Sequence, residues 1–160
     1  MASEVDIVID SGTSFSYHFQ WTDSTVAGNP GNDLKKYVAN MDVRRSLIAD
    51  KKLLSLHGTT LNDNGSAINS GITHGGSTGE FVDGATFSGV AGVGGIFLNT
   101  SAAGGTGFTG GVRIEIDATS TANIPAGRHF YDIHVKSGGT GGVVTRLLEG
   151  RFEIRGSVTR

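Results

Sequence analysis

The apolar positions of this chain recur every second residue. Val5, Ile7 and Ile9 alternate with Asp6, Val8 and Asp10, and Phe15, Tyr17, Phe19 and Trp21 alternate with Ser16, His18, Gln20 and Thr22. Successive side chains of an extended strand point to opposite faces, so each run predicts a strand with one apolar side. The period returns at Tyr37, Ala39, Met41 and Val43, at Val112, Ile114 and Ile116, and at Tyr131, Ile133 and Val135. Leu53, Leu54 and Leu56 predict a short strand. A last long strand is expected over residues 143–154, with Gly150 as a bulge and Arg146 sharing a face with Val144 and Leu148. Turn chemistry separates the runs: residues 11–14, the Asn29-Pro30-Gly31-Asn32-Asp33 stretch, and the glycines of residues 137–142. Residues 118–127 can hold one helical turn, and residues 34–38 and 44–54 are the other places where a helix could form. Short strands at intervals of about 8–12 residues predict an all-β, antiparallel sandwich, because one-sided strands need a second layer.

Composition changes this picture in the middle of the chain. Of 160 residues 26 are glycine, and 16 of those fall within residues 57–111. Runs such as Gly75-Gly76-Ser77-Thr78-Gly79 and Gly89-Val90-Ala91-Gly92-Val93-Gly94-Gly95 lack the side-chain mass of ordinary strands. Islands of Phe81, Val82, Phe87, Ile96, Phe97, Leu98 and Phe108 interrupt them. Residues 1–160 therefore read as a single domain with a long glycine-rich central insertion at 57–111. The insertion is either a floppy surface loop or a segment ordered by a neighbouring subunit. On the second reading Phe81, Phe87, Phe97 and Phe108 are candidate contact anchors, since aromatics dominate interfaces.

Charge and chemistry narrow the function classes. Lys and Arg total 13 against 15 Asp and Glu, a formal net charge of −2. That balance is not built to hold nucleic acid or an anionic membrane. No apolar run approaches a bilayer span, and the first residues lack the form of a signal peptide. Zero cysteine excludes disulfides, thiolate metal sites and cysteine nucleophiles. His129 and His134 are five apart and fall on opposite faces of a strand. His18, His57 and His74 have no spaced partner ligand, so no metal site and no cofactor are expected. Asp6 with Asp10, and Glu115 with Asp117, read as solvated strand faces. Asn62-Asp63-Asn64-Gly65-Ser66 reads as a turn and not as a calcium loop. Residues 105–110 spell GxGxxG, but the pattern lies between a glycine run and a strand and loses its meaning there. Nothing brings a serine, histidine and carboxylate to a recognisable spacing, so no enzyme is expected. Arg146, Arg151 and Arg155 interleave with Glu149 and Glu153, which suits cross-strand or intersubunit salt bridges and makes Arg151 and Arg155 further interface candidates.

The two ends of the chain carry a resemblance. Ile7-Val8-Ile9-Asp10-Ser11-Gly12-Thr13-Ser14-Phe15, then Phe19-Gln20-Trp21-Thr22-Asp23-Ser24, then residues 34–44 resemble the opening of small Ig-like β-sandwich virion proteins of tailed bacteriophages, similar to the N-terminal domain of siphophage baseplate upper proteins. The closing stretch matches in order: Thr121-Ala122-Asn123-Ile124-Pro125-Ala126-Gly127, Phe130-Tyr131-Asp132-Ile133, Val144-Thr145-Arg146-Leu147-Leu148-Glu149-Gly150 and Val158-Thr159-Arg160. The glycine-rich centre departs from that family, which has a short hairpin there. The resemblance implies an Ig-like sandwich and a non-catalytic tail- or baseplate-associated adaptor in the virion, assembled in the host cytoplasm. It would contact other virion proteins and form a homo-oligomer. A capsid decoration (cement) protein and a host-glycan-binding module are the alternatives.

Overall fold

The computed structural model describes residues 3–46, 48, 52–60, 68–74, 94–100, 108–137 and 142–156. Among them are ten strands and one short helix. In chain order they are β1 (Ser3–Glu4), β2 (Ile7–Asp10), β3 (Phe15–Gln20), β4 (Tyr37–Arg44), β5 (Lys52–Thr60), β6 (Ile68–His74), β7 (Gly94–Leu98), β8 (Gly111–Ile116), α1 (Ala118–Ala122), β9 (Gly127–Ser137) and β10 (Val144–Arg155). They form two sheets. The larger runs β1-β10-β9-β4-β5-β6, with β2 also on β10, and the smaller runs β3-β8-β7.

Period-two burial explains the pairing of layers. Ala39, Met41 and Val43 of β4, Leu54 and Leu56 of β5, and Ile133 and Val135 of β9 are fully buried from one side. Ile96 of β7 and Val112 and Ile114 of β8 meet them from the other. Close backbone approach completes the contact: a side chain at Gly58 would meet the Ile96 carbonyl oxygen at 1.9 Å.

This strand order is that of a variable-type immunoglobulin domain: the three-stranded core β10-β9-β4 of the larger sheet is extended by two further strands, β5 and β6, opposite the second sheet. The all-β, Ig-like sandwich therefore stands. With no cysteine in the chain, side chains alone join the sheets where antibody domains carry a disulfide. Tyr131 on β9 ties the link between β1 and β2 to its own, larger sheet. Its hydroxyl donates to the Val5 carbonyl at 2.5 Å, and burial, with Tyr17 and Asp6 nearby, pushes its phenol far above the usual range.

Several expectations are corrected. The sandwich is not wholly antiparallel, because β1 and β2 pair with β10 in parallel. The long strand's irregularity lies between Arg146 and Leu148 and not at Gly150. Gly150 instead admits the N-terminal segment, since a Cβ there would meet the Val5 carbonyl oxygen at 2.2 Å. The irregularity also separates Arg146, which is exposed, from Leu148, which is buried. Residues 52–60 are strand and not helix. The glycine run reaching Gly95 supplies the start of β7. Gly94 has φ +136, and a Cβ there would meet the Glu115 carbonyl oxygen at 2.3 Å, so glycine is what lets β7 lie against β8. Within residues 57–111 the described parts belong to β5, β6, β7 and the approach to β8. The helical turn expected over 118–127 is α1.

Candidate functional site

The outer face of the larger sheet carries a groove of about 360 Å³, lined by β1, β10, β9 and β4. Register explains its chemistry. Asp42 of β4 lies opposite Asp132 of β9, Asp132 opposite Glu149 of β10, and Glu149 opposite Glu4 of β1. Four carboxylates thus form a row across four strands about 4.8 Å apart, an arrangement that is repulsive unless compensated.

Compensation comes from the rows on either side. One residue pair along the strands, Arg44, Phe130 and Arg151 form a second row, with Lys52 beyond Arg44. In the other direction Asn40, His134 and Arg146 form a third, with His57 beyond Asn40. Lys52 Nζ lies 3.2 Å from Asp42 and Arg44 Nη2 3.5 Å from it, while Ser55 donates its hydroxyl to the same carboxylate at 2.7 Å. Arg146 Nη1 donates to Glu149 at 3.0 Å, and its Nε lies 3.8 Å from Asp132. His134 Nε2 stands 3.1 Å from Arg146 Nε and 3.6 Å from Asp132. A ring nitrogen that accepts from Arg146 cannot at the same time donate to Asp132, so the two contacts need different placements of the ring proton. Neither Glu4 nor Arg151 makes a side-chain ion pair among the described residues.

The face differs along its width. At the β5 side Ser55 and His57 are buried, and His57 Nδ1 lies 3.0 Å from Asn40 Oδ1. Burial lowers the His57 pKa to about 4; Asp42 opposes that shift and Lys52 adds to it. At the β9–β10 side the charges are open: the Glu149 and Arg146 side chains are 45% and 48% exposed.

The residues expected at an interface fall on different sides. Arg151 lines the groove, exposed, with its backbone N–H donating to Asp6 at 3.0 Å. Arg155 is exposed further along β10, in register with Asp10. Phe97 and Phe108 lie on the outer side of the smaller sheet. The Arg113 guanidinium sits 4.6 Å over the Phe97 ring, and Phe108 meets His18 edge-on at 5.5 Å. Phe81 and Phe87, like the Asn62–Ser66 turn, lie outside the described residues. Asp42, Asp132, Phe130 and Glu4 were missed in the sequence because only cross-strand register assembles them. Among the described residues no three histidines or carboxylates converge to hold a metal, and no helix is long and apolar enough to cross a membrane.

No family model and no curated protein matches the sequence. Some solved structures are distantly similar. One comes from work on multimeric cell-adhesive interactions of voltage-gated sodium channel β subunits: 10% identity, 96% of this chain and 92% of that one covered, TM-score 0.37. Another is a parallel homodimer of extracellular domains of the voltage-gated sodium channel β4 subunit: 9% identity, 99% and 96% covered, TM-score 0.34. The fold class here rests on strand order and not on these scores. The expected phage tail or baseplate adaptor, with its capsid-decoration and host-glycan alternatives, is corrected: the solved structures found are cell-adhesion domains, and nothing found supports virion proteins as partners.

Proposed function

We propose that this chain is a non-catalytic, Ig-like binding module that associates with copies of itself through the outer face of its larger sheet. The observation that carries this reading is the banded charge: a row of carboxylates between two rows containing cations, so one face holds both halves of an electrostatic match. Isologous contacts require that self-complementarity. Phe130, between Arg44 and Arg151 in register, adds the aromatic and arginine types that dominate contact energies. Most of the ionisable groups are held in pairs along or across the strands, an arrangement suited to recognition.

Sedimentation equilibrium over a concentration series tests the reading. A dimer is expected at low ionic strength, weakening as salt rises, because exposed charges are screened beyond about 10 Å at 0.1 M. A chain that stays monomeric at the highest soluble concentration in low salt overturns it.

A further inference from the structure

The order of the charge rows selects one orientation of the pair. We infer that two copies meet face to face with their strands antiparallel, about a twofold axis that crosses the strands between the carboxylate row and the Arg44–Phe130–Arg151 row. This rests on the reading just given and adds the geometry of the partner, a second copy of this chain.

Same-face residues along a strand are about 7 Å apart, and facing sheets pack about 10 Å apart. A twofold axis lying along the strands maps each row onto its own copy. Asp42, Asp132, Glu149 and Glu4 would then face the same carboxylates, a like-charge juxtaposition that disfavours docking strongly. An axis crossing the strands inverts the row order. Placed between the two rows, it sets each strand against its own copy run backwards. Asp42 then faces the partner's Arg44, and Glu149 faces the partner's Arg151. Symmetry makes each contact twice, which gives four intermolecular pairs.

The neighbouring setting, with the axis between the carboxylates and the His134–Arg146 row, is less favourable. Arg146 already engages both Glu149 and Asp132. Arg151 is exposed and has no side-chain ion pair among the described residues, so it brings an uncommitted cation to the contact. Phe130 lies in the same row, and two copies bring it close to the axis. The open side of the face, over β10 and β9, is where these residues stand. The β5 side is already buried and contributes less.

The chain contains no cysteine, so a single introduced cysteine can be labelled alone. Lys136 suits this: it lies on β9, on the same face as Asp132 and His134, well along the strand from the axis. In the antiparallel pair two spin labels on Lys136→Cys sit roughly 35 Å apart. In a parallel pair over the same groove they sit roughly 10–15 Å apart. Pulsed dipolar spectroscopy reads the first distance and continuous-wave line broadening the second.

Charge reversal supplies the second arm. Glu149→Arg and Arg151→Glu alone should each weaken dimerisation roughly tenfold or more, and the double variant should recover most of it. Circular dichroism confirms that each variant folds. A long distance with recovery in the double variant supports the inference. A dimer with a short distance, or a double variant weaker than both singles, overturns the orientation and leaves self-association standing. A monomer in every arm overturns the reading beneath it.

Discussion

On the smaller sheet outward polar side chains reach the protein's own loops, beside one ion pair between Arg113 and Glu115; on the larger sheet the outward polar side chains chiefly hold one another. His18 Nε2 lies 2.8 Å from the Thr100 carbonyl, and Gln20 donates to the Thr109 carbonyl at 3.0 Å. Beside them Asn99, at φ +54, gathers three segments: its Oδ1 accepts from the Leu34 and Gly110 amides and its Nδ2 donates to Asp33. The larger sheet's groups pair both along and across its strands and stay open to solvent over β9 and β10. The two faces use similar residue types, so composition does not separate them. What separates them is that polar groups of the smaller sheet reach crossing loops, whereas those over β9 and β10 find their partners within their own sheet. A face already covered by its own chain contributes to stability, and an open, ion-paired face is available for association.

The largest effect should come from filling the space between the smaller sheet and its loop. A Cβ at Gly111 would meet the Thr100 carbonyl oxygen at 2.0 Å and the Phe108 ring at 2.7 Å. Gly111→Ala is expected to cost about 3–5 kcal/mol in urea unfolding, since backbone must move to admit it. Asn99→Ala comes next, at about 2–3 kcal/mol. It removes three hydrogen bonds and puts alanine in a left-handed conformation that asparagine tolerates better. If either variant is as mild as an exposed ion-pair deletion, the smaller sheet's outer side is not a structural clamp and the contrast collapses.

The same contrast explains what could be read from sequence. Residues 112–116 and 131–135 were legible as strands because burial from one side imposes a two-residue period. The start of β7 was not. Gly94 and Gly95 read as loop, yet glycine is required there by the close Glu115 carbonyl. The parallel pairing of β1 and β2 with β10 joins the two ends of the chain, and no local pattern announces it. The carboxylate row was hidden for the same reason, with Glu4, Asp42, Asp132 and Glu149 coming from four strands. Even within β10 the parity is misleading. The irregularity before Leu148 leaves Arg146 and Glu149 ion-paired on one face, although strict alternation puts residues three apart on opposite faces.

A pH titration probes the covered edge of the larger sheet. The His57 pKa falls from about 6.5 in an unfolded chain to about 4 in the fold, chiefly through burial. Between those values the unfolded chain binds a proton that the native ring does not, so stability rises with pH across that window. Acidification from pH 6.5 to pH 4 should therefore remove up to about 2 kcal/mol through this residue, after allowance for the ring's partial contact with solvent. Unfolding curves of His57→Gln should lack that part of the slope. An unchanged slope would mean the ring is more open to water than its burial indicates, and the face would be uniform across its width.

The smallest effect on stability is expected where the effect on association is greatest. Glu149→Gln removes one charge from a row of four in-register carboxylates and also weakens the exposed pair with Arg146. Relief of like-charge repulsion and loss of an exposed ion pair are each worth at most about 1 kcal/mol and have opposite signs. Unfolding of the monomer, measured below the dissociation concentration, should shift by no more than about 0.5 kcal/mol, and less at high salt. Sedimentation of the same variant should show weaker dimers, because Glu149 is the group that meets the partner's Arg151. A large loss of monomer stability would place Glu149 among the structural groups, alongside Asn99, and would remove the ground for treating the two faces as different in kind.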